Sequence, residues 1–193
     1  KALYYYAKRF FSPVLVVLTQ TENNEPNKVV VINDSLNRIT ATLDCCLLDL
    51  TGKVLDQKHI PIALSPLNRS ALYPLPKSFL QPHLKKTSLL HLKLFTDDSV
   101  LAENIYFSSP DKYLQWPTGS VELEVIPKDS HLWQITLKSQ TVIRDLQLIP
   151  PCPGRLSDNF VTLLPGQPEK IDIQFKKAPA ACTPIHILCA SQV

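Results

Sequence analysis

The sequence predicts an all-β protein: two antiparallel β-sandwiches in tandem, preceded by a short N-terminal helix. Three observations lead there. Apolar and polar residues alternate with a period of two in short runs along most of the chain, as in strands buried on one face. The runs recur about every 8–12 residues with turn residues between them, the spacing of sandwich strands. The 193 residues include 17 Pro and only 4 Gly, the reverse of ordinary usage. A Pro inside a helix removes a donor and clashes with the preceding turn, so long helices are excluded.

Lys1 to Phe11 reads as a helix, because Leu3, Ala7, Phe10 and Phe11 recur on one helical face. Ser12-Pro13 ends it, since the residue before Pro avoids the helical region. The apolar face exceeds what so short a helix hides alone, so it is expected to pack on a partner. Val14–Thr19 and Lys28–Ile32 are β-branched runs separated by the turn residues Glu22-Asn23-Asn24-Glu25-Pro26. From Ile39 the odd positions Ala41, Leu43, Cys45 and Leu47 are apolar against Thr40, Thr42 and Asp44, a half-buried strand. Thr51-Gly52 turns the chain into a hairpin return from Lys53 to Ile60. Pro61, Pro66, Pro74, Pro76 and Pro82 then restrict the chain to edge strands and turns. Thr87–Phe95 and Ala102–Phe107 close the first series, and Ser108–Pro117 reads as a joint. The second series comprises Val121–Val125, Trp133–Leu137, Thr141–Leu148, Ile171–Phe175 and Ile185–Ala190.

Several chemistries are excluded by composition. No Gly-rich phosphate loop is present, and without bare backbone near a phosphate nucleotide chemistry has no cradle. The net charge of +3 comes from 20 Lys+Arg and 17 Asp+Glu with no basic block. Lys85-Lys86 and Lys176-Lys177 read as solvated faces, and no nucleic-acid partner is expected. No apolar run reaches the roughly 18 residues of a membrane helix, so no membrane partner is expected.

The five Cys (45, 46, 152, 182, 189) form neither a regular disulfide framework nor a CxxC metal pair, and the five His (59, 83, 91, 131, 186) show no ligand spacing. No metal and no cofactor are expected, and the cysteine usage fits a reducing compartment. Two glycosylation sequons, Asn33-Asp34-Ser35 and Asn68-Arg69-Ser70, point the other way. Glu122 and Glu124 fall on the polar side of one strand, a solvated face. Ser157-Asp158-Asn159 has no nucleophile elbow around it and reads as a turn. Trp133, in phase with Ile135 and Leu137, reads as the buried sandwich Trp. Trp116, in the joint beside Pro117, is the one candidate carbohydrate-binding residue, against a role in sealing the joint.

The helix and junction Ala2-Leu3-Tyr4-Tyr5-Tyr6-Ala7-Lys8-Arg9-Phe10-Phe11-Ser12-Pro13-Val14 resembles the stretch after the catalytic barrel of β-mannosidases of glycoside hydrolase family 2. Val31-Ile32-Asn33-Asp34-Ser35-Leu36 and Leu48-Asp49-Leu50-Thr51-Gly52-Lys53-Val54-Leu55 are similar to the family's following immunoglobulin-like domain. Asn104-Ile105-Tyr106-Phe107-Ser108-Ser109-Pro110, Leu156-Ser157-Asp158-Asn159-Phe160 and Leu163-Leu164-Pro165-Gly166 resemble its last domain and the segment leading there.

The resemblance implies that residues 1–12 end the last helix of a catalytic barrel absent from this chain. Residues 13–112 and 113–193 would be two immunoglobulin-like sandwiches. The family's two catalytic Glu, about 5.5 Å apart in a retaining glycosidase, would lie upstream, and none of this chain's residues inherits the role. The partners implied are the missing barrel and carbohydrate. Tyr4, Tyr5 and Tyr6 are expected to pack on that barrel. Competing readings are a carbohydrate-binding sandwich module and an adhesion-type pair of immunoglobulin-like domains.

Overall fold

The computed structural model describes residues 2–20, 26–75, 86–179 and 184–189. The turn expected over Glu22–Glu25, and Pro76, Pro82, His83, Lys85 and Cys182, lie outside them. Two compact units divide the chain, one of Lys8–Gln115 and one of Lys1–Ala7 together with Trp116–Val193. They are called here the first and second sandwich.

Helix α1 runs from Ala2 to Phe10 and places Lys8 and Arg9 in its last turn, where cations suit the helix dipole. The first sandwich contains β1 (Val14–Gln20), β2 (Pro26–Asn33), β3 (Ile39–Asp49), β4 (Val54–Leu64), β5 (Asn68–Pro74), β6 (Ser88–Phe95) and β7 (Val100–Phe107). All pair antiparallel, in sheets ordered β1-β2-β5 and β4-β3-β6-β7. Compared with a constant-type immunoglobulin domain, the fourth strand here lies on the other sheet, beside the third.

The core forms where the facing residues of these sheets meet. Val14, Val16, Leu18, Val29 and Val31 come from one sheet, and Ile39, Leu43, Cys45, Leu47, Ile62, Leu90, Leu92 and Leu94 from the other. The alternation from Ile39 therefore has the expected phase. It stops being half-buried after Asp44, because Cys45 to Leu48 are buried without interruption. The segment after β7 returns toward this end of the sheet. The Ser108 N–H and Oγ–H both donate to the Ser88 carbonyl (3.1 and 2.6 Å), and the Gln115 N–H donates to Lys86 (2.8 Å). β4 continues through Pro61, paired to Thr42, as an edge strand on which a missing N–H does no harm.

The second sandwich contains β8 (Val121–Pro127), β9 (Leu132–Ser139), β10 (Ile143–Ile149), β11 (Gly154–Leu156), β12 (Val161–Leu163), β13 (Glu169–Phe175) and β14 (His186–Leu188). Its sheets are ordered β11-β13-β9-β8 and β12-β10-β14. Ile135, Leu137, Ile143, Leu146, Leu148, Leu163, Ile171, Ile173 and Phe175 fill the space between them. The three-residue strands β11 and β12 are too short to show a period, which is why alternation does not reveal them.

Candidate functional site

The motifs that carry the family resemblance become side-chain locks on backbone. In the β3–β4 turn, Asp49 Oδ1 accepts the N–H of Thr51 (2.9 Å), the Thr51 hydroxyl (2.6 Å) and the N–H of Lys53 (3.0 Å), while Gly52 supplies the φ of 91° the turn requires. Asn33 is fully buried. It donates to the carbonyls of Asn37 (2.9 Å) and Ser65 (3.0 Å) and accepts the Ser35 N–H (3.1 Å) and hydroxyl (2.6 Å). From β7, the Asn104 amide donates to the Val16 carbonyl (3.1 Å) and the Tyr106 hydroxyl accepts the Leu18 N–H (2.9 Å), which sews β1 to the opposite sheet. Burial pushes the Tyr106 phenol above its ordinary pKa despite that bond to Leu18.

Ser157-Asp158-Asn159 is a turn, as read from the sequence, and Asn159 does more than cap it. Its Oδ1 accepts the Leu148 N–H (2.8 Å) and its Nδ2 donates to the Leu148 carbonyl (2.9 Å). The Ile143↔Leu163 and Leu146↔Val161 ladder is thereby extended by a side chain at the point where the backbone leaves the sheet. Ser157 joins β13, with its hydroxyl accepting the Asp172 N–H (2.9 Å).

Among the titratable groups, His91 is buried in the first sandwich and lies 2.5 Å from the Glu103 carboxylate. Burial raises the Glu103 pKa, but the hydrogen bond and charge of His91 and the charge of Lys93 outweigh it, and the carboxyl sits below its ordinary range. On the same sheet face, Asp44 accepts two hydrogen bonds from the Gln57 amide (3.1 and 3.0 Å) and lies 3.5 Å from His59. Burial, with Asp44 adding to it, pushes the Cys45 and Cys46 thiols up to about 11, which makes them inert. Glu122 and Glu124 are exposed opposite Lys138 and Thr136. Among the described residues no group of three or more His, Cys, Asp or Glu side chains is placed to hold a metal. None of the helices in the described residues is long and apolar enough to cross a membrane.

The aromatic residues divide clearly. Trp133 packs against the second core with its ring edge-on to Phe175, centroids 5.1 Å apart, though it is half-buried rather than buried. Trp116 is half-buried where the second sandwich resumes after the joint. Two of the three helix tyrosines depart from expectation. Tyr5 packs against the second sandwich, 6.2 Å from the Phe160 ring, and the Tyr6 hydroxyl donates to Asp145 Oδ1 at 2.6 Å. The side of α1 carrying Ala2, Tyr5 and Tyr6 is thus half-buried, whereas Leu3 is 77%, Phe10 64% and Phe11 87% exposed. The helix has two apolar sides, and spacing alone picked out the open one.

Residues 26–113 match the family described as the mannosidase Ig/CBM-like domain, and residues 120–183 match the mannosidase Ig-fold domain. No curated protein sequence matches the chain. Among solved structures, a β-D-mannosidase from Dictyoglomus thermophilum is 19% identical with a TM-score of 0.80, over 98% of this chain and 23% of that one. The exo-chitosanase CsxA from Amycolatopsis orientalis is 17% identical with a TM-score of 0.67, over 96% of this chain and 26% of that one. The chain therefore shares their fold and spans about a quarter of their length.

Proposed function

Because residues 26–113 and 120–183 belong to the two immunoglobulin-like domain families of mannosidases, we propose that the chain is the non-catalytic accessory region of a β-mannosidase-type glycoside hydrolase. On this reading residues 1–12 end the last helix of a catalytic barrel, and residues 13–112 and 113–193 are its two supporting sandwiches. The parent would release terminal β-D-mannose by a retaining mechanism, with both catalytic carboxylates on the barrel.

The observation that carries the reading is the open side of α1. Leu3, 77% exposed, stands on a helix whose other side is already seated, and Phe11, one residue past the helix end, is 87% exposed. Burying such a side chain contributes about 1.5–3 kcal/mol each before ordering costs, so the side is suited to a further packing partner. Support comes also from the two solved glycosidases, roughly three quarters of whose length lies outside the matched region.

The test is direct. The 193-residue chain should release no nitrophenol from p-nitrophenyl β-mannoside, while a polypeptide extended through the upstream region should. Turnover by the chain itself, or none by the extended polypeptide, overturns the proposal. A second reading, carbohydrate binding, is favoured by the partial exposure of Trp116 beside Pro117. It requires calorimetric binding of mannan that is lost in Trp116→Ala, and a flat titration leaves support as the role.

A further inference from the structure

Three described non-glycine residues have left-handed backbone, Leu67, Asp145 and Phe160, with φ of 54°, 51° and 54°. Side chains strain such a backbone, and glycine adopts it freely. Leu67 belongs to the turn before β5. The other two lie in the second sandwich, and both touch helix α1: Asp145 accepts the Tyr6 hydroxyl and the Phe160 ring packs on Tyr5.

The surroundings of both residues are arranged for that contact. Between Ile143↔Leu163 and Leu146↔Val161, β10 advances three residues while β12 advances two, so one extra residue bulges at Arg144-Asp145. A bulge re-aims a side chain, and here it sends a carboxylate toward the helix. Arg144 Nε donates to the second oxygen, Oδ2, at 3.2 Å, which leaves Oδ1 turned to Tyr6. Phe160 follows Asn159, whose side chain keeps pairing with Leu148 while the backbone turns away, and the Phe160 N–H donates to that same Asn159 Oδ1 (2.9 Å). Left-handed backbone retained at two non-glycine residues, with a bulky aromatic side chain at one of them and both in contact with one helix, points to a functional contact.

We propose that Asp145 and Phe160 form a docking seat for α1, receiving Tyr6 and Tyr5, and that through α1 the second sandwich is fastened directly to the catalytic region. The fastening role rests on the function proposed above, whereas the seat itself does not. α1 is then a two-sided strut, with Tyr5 and Tyr6 in the seat and Leu3, together with Phe11 just past the helix end, turned to the catalytic body.

The helix is nine residues long, too short to persist once undocked, so amide exchange over residues 4–10 reads the docking. In the 193-residue chain, Asp145→Gly should speed that exchange about tenfold, the effect of losing one charge-assisted hydrogen bond. The urea midpoint of the second sandwich should not fall, because glycine relieves the backbone at φ 51°. Tyr6→Phe, which removes one hydroxyl, should speed exchange similarly, and the double variant should add little. Unchanged exchange in both single variants overturns the seat, as does a lowered midpoint with the helix still protected. In the extended polypeptide, Asp145→Gly should shorten the half-life of activity on heating by about threefold or more. An unchanged half-life with a freed helix in the short chain overturns the fastening role and leaves the seat, and neither depends on which sugar is cleaved.

Discussion

Replacing Asn159 with Ala should unfold the second sandwich far more readily than the loss of one small surface side chain. Asn159 holds both the N–H and the C=O of Leu148, at 2.8 and 2.9 Å, and Leu148 is 1% exposed. Water cannot replace the lost partner there, and each buried backbone group left unpaired costs about 1–3 kcal/mol. The sum is about 2–6 kcal/mol. With an m-value of about 1 kcal/mol/M in urea, the midpoint should drop by at least about 2 M. Both tryptophans, Trp116 and Trp133, belong to the second sandwich, so tryptophan fluorescence follows that unit selectively.

Asn159→Asp sharpens the test. The carboxylate still accepts the Leu148 N–H but faces the Leu148 carbonyl with no proton to donate. Near neutral pH it should be as damaging as Ala. In acid, where a protonated carboxyl can donate, part of the loss should be recovered. A midpoint shift below about 0.5 M for Asn159→Ala, with unchanged slope, would refute the claim that this side chain serves as a rung of the ladder.

Three further outcomes are expected. Expressed through a eukaryotic secretory route, the chain should carry an N-glycan at Asn68, which is exposed, and none at the fully buried Asn33; glycopeptide mass spectrometry reads both, and an occupied Asn33 in folded protein would contradict the lock described for it. Because the Glu103 carboxyl is held below its ordinary range, the folded state favours its ionised form. Its contribution is therefore complete above the ordinary carboxylate pKa and lost as pH falls through the depressed value. The stability gap between wild type and Glu103→Gln, followed by circular dichroism, should close in acid, and a gap independent of pH would exclude the pairing with His91. Cys45 and Cys46 should resist iodoacetamide at pH 8 in the native chain and react on unfolding. With their pKa near 11 in the fold and about 9 outside it, stability should decline as pH rises from 9 through 11, and native labelling at either thiol would refute the burial argument.

Much of the fold was legible because burying one face of a strand imposes a period of two that needs no knowledge of the partner. The phase from Ile39 to Leu47, the hairpin at Thr51-Gly52 and the core side of β9 and β13 all follow from it. The strands that escaped, β11 and β12, are too short to show a period; β4 was expected only to Ile60 and runs on through Pro61 to Leu64, because Pro61 reads as a stop until its edge position is known. The site residues were less legible. Asn104, Tyr106, Ser157 and Asn159 stood inside recognised motifs, yet their work is to satisfy backbone groups distant in sequence, and spacing does not reveal such partners. For Asn159 the available signal was a polar residue wedged between apolar strands.

Helix α1 separates the two kinds of information most sharply. Its length, its stop at Ser12-Pro13 and its excess of apolar surface are local properties of one short segment, and the chain's letters determine them alone. Which side is seated and which is open was decided only in three dimensions, by a bulge at Asp145 and a left-handed Phe160 more than 130 residues further along. The reason is physical: a helix's apolar stripe declares that it must be covered, while the identity of its cover belongs to the surface that meets it.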